Sequence, residues 1–133
     1  MIEMKDGKIT LNRAVKCYKP YRITNGRYFQ EAEEFRKKNG FSYEEVWNLD
    51  AETAYFILTR LVQFRRVMHG YPCSFNREGD TNGEGMKRWK TQVDKMIRGF
   101  YLYCTVDFPD KKQKKIINHG LKLFVENFES LWD

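Results

Sequence analysis

Three cysteines, two histidines and three prolines are all that these 133 residues hold of those types, and each scarcity closes off a class of protein. Cys17, Cys73 and Cys104 are odd in number and form no C-x-x-C pair. Neither a disulfide framework nor a thiolate metal site is therefore expected, and the inferred setting is reducing and cytoplasmic. His69 and His119 have no second histidine or cysteine at ligand spacing, so no metal and no other cofactor is expected. No apolar run approaches the roughly 20 residues needed to cross a bilayer. The start, MIEMKDGKITLNR, lacks the apolar segment of a signal peptide. G-x-S-x-G, H-E-x-x-H and the P-loop are also missing. His69 alone, at a helix end, reads as a cap sooner than as a general base. Binding is the expected class, and enzymatic activity is not.

What is present is a foldable core and an excess of positive charge. With 41% hydrophobic and 16% aromatic residues, the chain has the composition of a folded protein. Its length suits a single domain over 1–133. Lysine and arginine number 24 against 18 acids, a formal charge of +6, which favours anionic partners without choosing among nucleotides, nucleic acid and acidic proteins.

The fold expected is mainly α: a small helical domain with an irregular or short-stranded N-terminal arm over 1–26 and a helical body over 27–133. Alternation in KITLNRAVKCY, with Asp6-Gly7 and Asn25-Gly26 as turns, suggests short strands or an extended arm. Tyr28, Ala32 and Phe35 repeat at helical spacing until Asn39-Gly40. Ser42 and Glu45 read as a capping box, with Phe41 and Val46 as its hydrophobic staple. Asp50 then reads as the N-cap of a helix running to about Met68. Trp47-Asn48-Leu49 becomes an elbow between helices, and the usual fate of a large aromatic puts Trp47 beneath it in the core. A Gly/Asn/Asp loop over 70–85 precedes a helix from about Met86 to Cys104, and a last helix runs from about Lys111 to Trp132.

Two features break the amphipathic pattern. At about 100° per residue, Arg65 falls inside the apolar arc of its helix and Lys90 near the edge of the next. Unpaired buried cations are costly, so either the heads reach water or an acid, or an anion approaches them. The second case predicts a pocket in which Arg65 and Lys90 hold phosphate, Trp89 or Tyr71 stacks a base, and Arg60 assists from the flank. The other break is in the last helix, where Lys111, Lys112, Lys114 and Lys115 crowd the start and Glu126 and Glu129 the end, against the macrodipole. A solvated face explains that arrangement. So does antiparallel pairing of two copies.

Taken as a set, WNLD (47–50), LTRLVQF (58–64), GYP (70–72), Trp89 with DKMIRGF (94–100), and LFVENFESLWD (123–133) resemble a widespread group of small phage-encoded proteins. The likeness covers about residues 40–133. That group is similar to the anti-CBASS sponge proteins of the fourth type. The resemblance implies a homo-oligomer in the host cytoplasm that binds a cyclic-dinucleotide immune signal, such as cyclic GMP-AMP, and withholds it from the host effector without cleaving it. Membrane is not an implied partner, and nucleic acid is disfavoured. The alternative is a phage host-takeover or inhibitor protein whose basic surface binds a host protein or nucleic acid.

Trp47 and Asn48 complete the candidate ligand residues. Their helix is about 17 residues long, so at about 1.5 Å per residue its ends lie roughly 25 Å apart. WNLD and GYP then share one pocket only if a neighbouring subunit brings them together.

Overall fold

A computed structural model describes residue 18 and residues 20–132, together with the backbone of two short strands near the N-terminus. Strands β1 (Ile2–Lys5) and β2 (Lys8–Leu11) pair antiparallel, with Ile2 opposite Leu11. The rest of the expected arm up to Cys17, including its Asp6-Gly7 turn, lies outside the described residues, as does Lys19. The body is helical: α1 (Phe29–Asn39), α2 (Leu49–Val67), α3 (Glu84–Thr105) and α4 (Lys111–Glu126), with three short 3₁₀ turns between and after them. The mainly helical expectation is thus met.

Local chemistry explains most helix ends. Gly40 closes α1 at φ 75°, a left-handed conformation that costs glycine little, and its N–H reaches the Arg36 carbonyl. Ser42 and Glu45 form the expected capping box on the turn Tyr43–Val46. The staple does not accompany it: Phe41 packs edge-on against Phe35 at 5.4 Å, and Val46 is exposed. Asp50 is not the N-cap of α2. Its carboxylate accepts the Tyr103 hydroxyl at 2.5 Å on α3, and the cap position passes to Asn48, whose carbonyl accepts the Glu52 N–H. Helix α3 starts two residues before Met86 because the Glu84 side chain accepts from Thr81 and Asn82 and so ties the loop to the first turn. A capping box of Asp110 and Gln113 opens α4. That helix stops at Glu126, short of Trp132, where the Asn127 side chain takes the Leu123 carbonyl and a 3₁₀ turn follows over Phe128–Ser130.

Helix α3 is the spine. Trp89, Val93, Met96 and Ile97 are fully buried on it, and Leu58 meets them from α2. The pairs Asp50–Tyr103 and Arg65–Asp94 run in opposite directions along the two helices, which makes α2 and α3 antiparallel. On its other side α3 crosses α4 through glycine. A Cβ on Gly120 would lie 2.7 Å from the Gly99 Cα, and one on Gly99 would lie 2.7 Å from the Gly120 Cα. The backbones touch there, with no room for a side chain between them.

Residues 20–28 are held to the body by ions. Arg22 meets Glu52 through two hydrogen bonds, of 2.7 and 3.1 Å. Glu44, buried, accepts the Ile23 N–H at 2.7 Å and a guanidinium hydrogen bond from Arg36. Burial pushes the Glu44 carboxyl up, but the Ile23 N–H and the two arginines outweigh it, and the net direction is down.

Candidate functional site

Arg65 is paired within the fold. Its guanidinium Nε donates to Asp94 Oδ1 at 2.8 Å, so the cation inside the apolar arc is answered by an acid from α3. Trp89 offers no face to a ligand: it is 1% exposed, with Phe75 at 5.2 Å and Phe64 at 6.5 Å between ring centroids. Lys90 is half-buried and makes no ion pair among the described residues. Arg60 lies exposed with its guanidinium 3.5 Å from the centre of the Phe56 ring, a local cation–π pair on the same helix.

The elbow differs from expectation as well. Trp47 is 58% exposed, stacked at 6.1 Å on an exposed Tyr21 and edge-on to Tyr43. Glu44 and Ile23, joined by a hydrogen bond, are buried, while the indole lies outside the core. Asn48, also exposed, does backbone work as the cap of α2. Tyr71 stands at the other end of α2, on the loop that follows it.

Cations gather instead where α3 and α4 cross. Because Gly99 and Gly120 let the backbones touch, the flanking positions come together: Lys95 and Arg98 from α3, Lys115, Ile116 and His119 from α4. They surround a hollow of about 390 Å³. Lys115 also lines a second hollow of about 710 Å³, with Pro109, Lys111, Lys112 and Lys114, and with Asp110 as its one acid. Lys95, Arg98 and these four lysines are exposed and reach no carboxylate within ion-pair distance among the described residues. The two hollows share Lys115, and together six cations line them.

The α4 lysines stand out in the sequence as an anomaly of one helix. Lys95, Arg98 and His119 were missed as site residues because their convergence depends on the α3–α4 register. The legible signal was the pair of lone glycines inside two otherwise regular helical patterns, which a packing requirement commonly explains.

The loop between α2 and α3 is tightly built. Arg88 grips Asp80 through hydrogen bonds of 2.7 and 2.5 Å and donates to the Phe75 carbonyl at 2.8 Å. The Arg88 hydrogen bonds, with that from the Arg77 N–H, pull the Asp80 carboxyl down to about 2. Across this loop lies the last turn of the described chain, so that GYP, Ser130 and Trp132 face one cavity of about 730 Å³.

Among the described residues, no three histidine, cysteine or acidic side chains cluster as metal ligands. Nor is any helix there long and apolar enough to cross a membrane. No protein-family model matches the chain, and no match is found among curated proteins or solved structures.

Proposed function

We propose that this chain is a capture protein, holding a phosphate-bearing small molecule of the cyclic-dinucleotide class at the basic face of α3 and α4 and doing no chemistry on it. The observation that carries the reading is the convergence of Lys95, Arg98, Lys115 and His119 around one hollow. Phosphate oxygens accept charge-assisted hydrogen bonds from such groups, and a ligand with two phosphates needs only a few of them. Lys95, Arg98 and Gly99 all belong to DKMIRGF, one of the stretches that carries the resemblance to the sponge proteins. The biological role follows that resemblance: a phage anti-defence protein in the host cytoplasm that withholds a signal such as cyclic GMP-AMP, acting as a homo-oligomer. The phosphate site moves away from Arg65, which Asp94 already neutralises.

A second reading rests on the same face. Lys111, Lys112 and Lys114 extend it along α4, as a nucleic-acid backbone or an acidic host protein would require.

Calorimetric titration with cyclic dinucleotides and with short duplex DNA, at several salt concentrations, separates the two. Capture of a ligand with two phosphates predicts a shallow slope of log K against log salt, no steeper than about −2. A duplex spanning six cations predicts a slope near −5. Each hydrogen bond to a charged group contributes about 1.5–3 kcal/mol, so Lys95→Gln or Arg98→Gln should weaken capture roughly tenfold or more. The nucleotide should return intact after the complex is heat-denatured. Altered nucleotide would mean an enzyme, and no binding of any cyclic dinucleotide would end the sponge reading.

A further inference from the structure

The cavity between the α2–α3 loop and the last turn is lined by residues beyond the C-terminal end of α4, and its chemistry differs from that of the basic hollow. Its lining includes His69, Tyr71, Cys73, Ser74, Ser130 and Trp132, and among the described residues no lysine, arginine, aspartate or glutamate side chain lines it. Apart from the His69 imidazole, a charged ligand would find no counter-charge among the described side chains of that wall. A flat uncharged ring would find two aromatic side chains and two hydroxyls.

The Tyr71 wall is fixed in advance. Its hydroxyl donates to Asn76 Oδ1 at 2.9 Å, and its ring lies on buried Gly85, where a Cβ would fall 2.4 Å from the ring Cε2. Only glycine at 85 lets the ring settle there. Behind it the Arg88–Asp80 pair and the Phe75–Trp89 contact hold the loop. A wall that is already ordered loses little freedom when a ligand arrives.

Trp132 forms the other side. Leu131 packs against the core and anchors the backbone, while the Trp132 indole is 78% exposed beside the open cavity. Neither the Tyr71 nor the Trp132 ring stacks on another ring among the described residues. Both therefore keep a face for something else. An exposed indole of this kind contributes little to the fold.

We infer that this cavity binds an uncharged, flat heteroaromatic ring, stacked on Tyr71 and Trp132 with its polar edge turned to the Ser74 and Ser130 hydroxyls. Stacking on aromatic side chains is a general means of holding nucleobases, because every base has a π-face. The site is independent of phosphate capture on α3 and α4, and either one stands if the other fails.

The probe is adenosine, which carries a base and no phosphate, with D-ribose as the ring-free control. Binding to the full chain is measured by calorimetry and by the three tryptophan indole N–H signals in ¹H–¹⁵N spectra. The Trp132 signal is identified as the one lost in Trp132→Phe. Adenosine should saturate at millimolar concentration or below and shift the Trp132 signal more than those of Trp47 and Trp89. Trp132→Ala, a change at an exposed position, should keep the fold and weaken adenosine tenfold or more; Tyr71→Leu should do the same. Ser74→Ala keeps the test open should the Tyr71 variant not fold. No adenosine binding, equal binding of ribose, or undiminished binding by Trp132→Ala would each overturn the proposal.

Discussion

Trp47 and Trp89 are the same residue type in opposite roles, and the difference sets a measurable expectation. Trp89 is 1% exposed and wedged between Phe64 and Phe75 at the centre of the core. Its replacement by alanine should cost about 3–5 kcal/mol, the usual range for emptying a buried aromatic site. Trp47→Ala removes a 58% exposed ring and should cost under about 1 kcal/mol in the same urea titration. Equal costs would mean that the elbow is packed in solution in a way the structure does not contain. Arg65 belongs to this scale too. Its pairing with Asp94 makes it a structural cation, so Arg65→Ala should lower stability while cyclic-dinucleotide affinity per folded molecule stays unchanged. The double-mutant cycle with Asp94→Ala should recover part of the loss, because it also removes the acid left without its partner.

At the scale of elements, the α3–α4 crossing and the 70–85 loop each carry one consequence. Gly120→Ala puts a methyl 2.7 Å from the Gly99 Cα and 2.9 Å from the Lys95 carbonyl, both backbone atoms that cannot swing aside. The helices must separate. Overpacking of this kind costs about 1–3 kcal/mol or more, and it should weaken anion binding as well, since Lys95 and Lys115 move apart. A stable Gly120→Ala with unchanged affinity would mean that the crossing does not set the spacing of the basic side chains. For the loop, Asp80 falls from an ordinary 3.8 to about 2 in the folded protein, chiefly through its hydrogen bonds from Arg88. A depressed carboxyl contributes its stabilisation above its unfolded value and loses it as pH falls through the folded one. Amide exchange in 70–85, corrected for intrinsic rates, should therefore accelerate as pH drops from about 4 towards about 2. Asp80→Asn should show the accelerated pattern already at neutral pH.

For the whole molecule the relevant quantity is where the charge sits. Arg22, Arg36, Arg65 and Arg88 are each paired with an acid and hold the body together. Six other cations line the two hollows beside the α3–α4 crossing and the start of α4. A ligand that binds only the native state raises stability by RT ln(1 + [L]/Kd). Inorganic phosphate at millimolar concentration should therefore raise the melting temperature more than chloride at equal ionic strength. The difference should vanish in the Lys95→Gln, Arg98→Gln double variant. Equal responses to the two anions would reduce the face to a diffuse, screened surface.

Much that depends on near neighbours in the chain was legible in the sequence. The 3.6-residue apolar repeats of α2 and α3, Gly40 at the end of α1 and the Ser42–Glu45 capping box are set by residues within a turn or two of one another, and the structure has them where the pattern puts them. Arg65 was also legible as an anomaly, but its solution was not, because Asp94 stands 29 residues away and reaches it only across the α2–α3 interface. Tertiary packing alone decided that Tyr103 would take Asp50 from its cap, that Trp47 would lie outside the core and Trp89 inside it, and that α3 and α4 would touch at Gly99 and Gly120. The candidate site is of that second kind. Lys95 and Arg98 sit one turn apart on α3, Lys115 and His119 one turn apart on α4, and neither pair makes a hollow by itself. The hollow exists because two residues without side chains bring two backbones together, and that register is a property of the packed pair of helices.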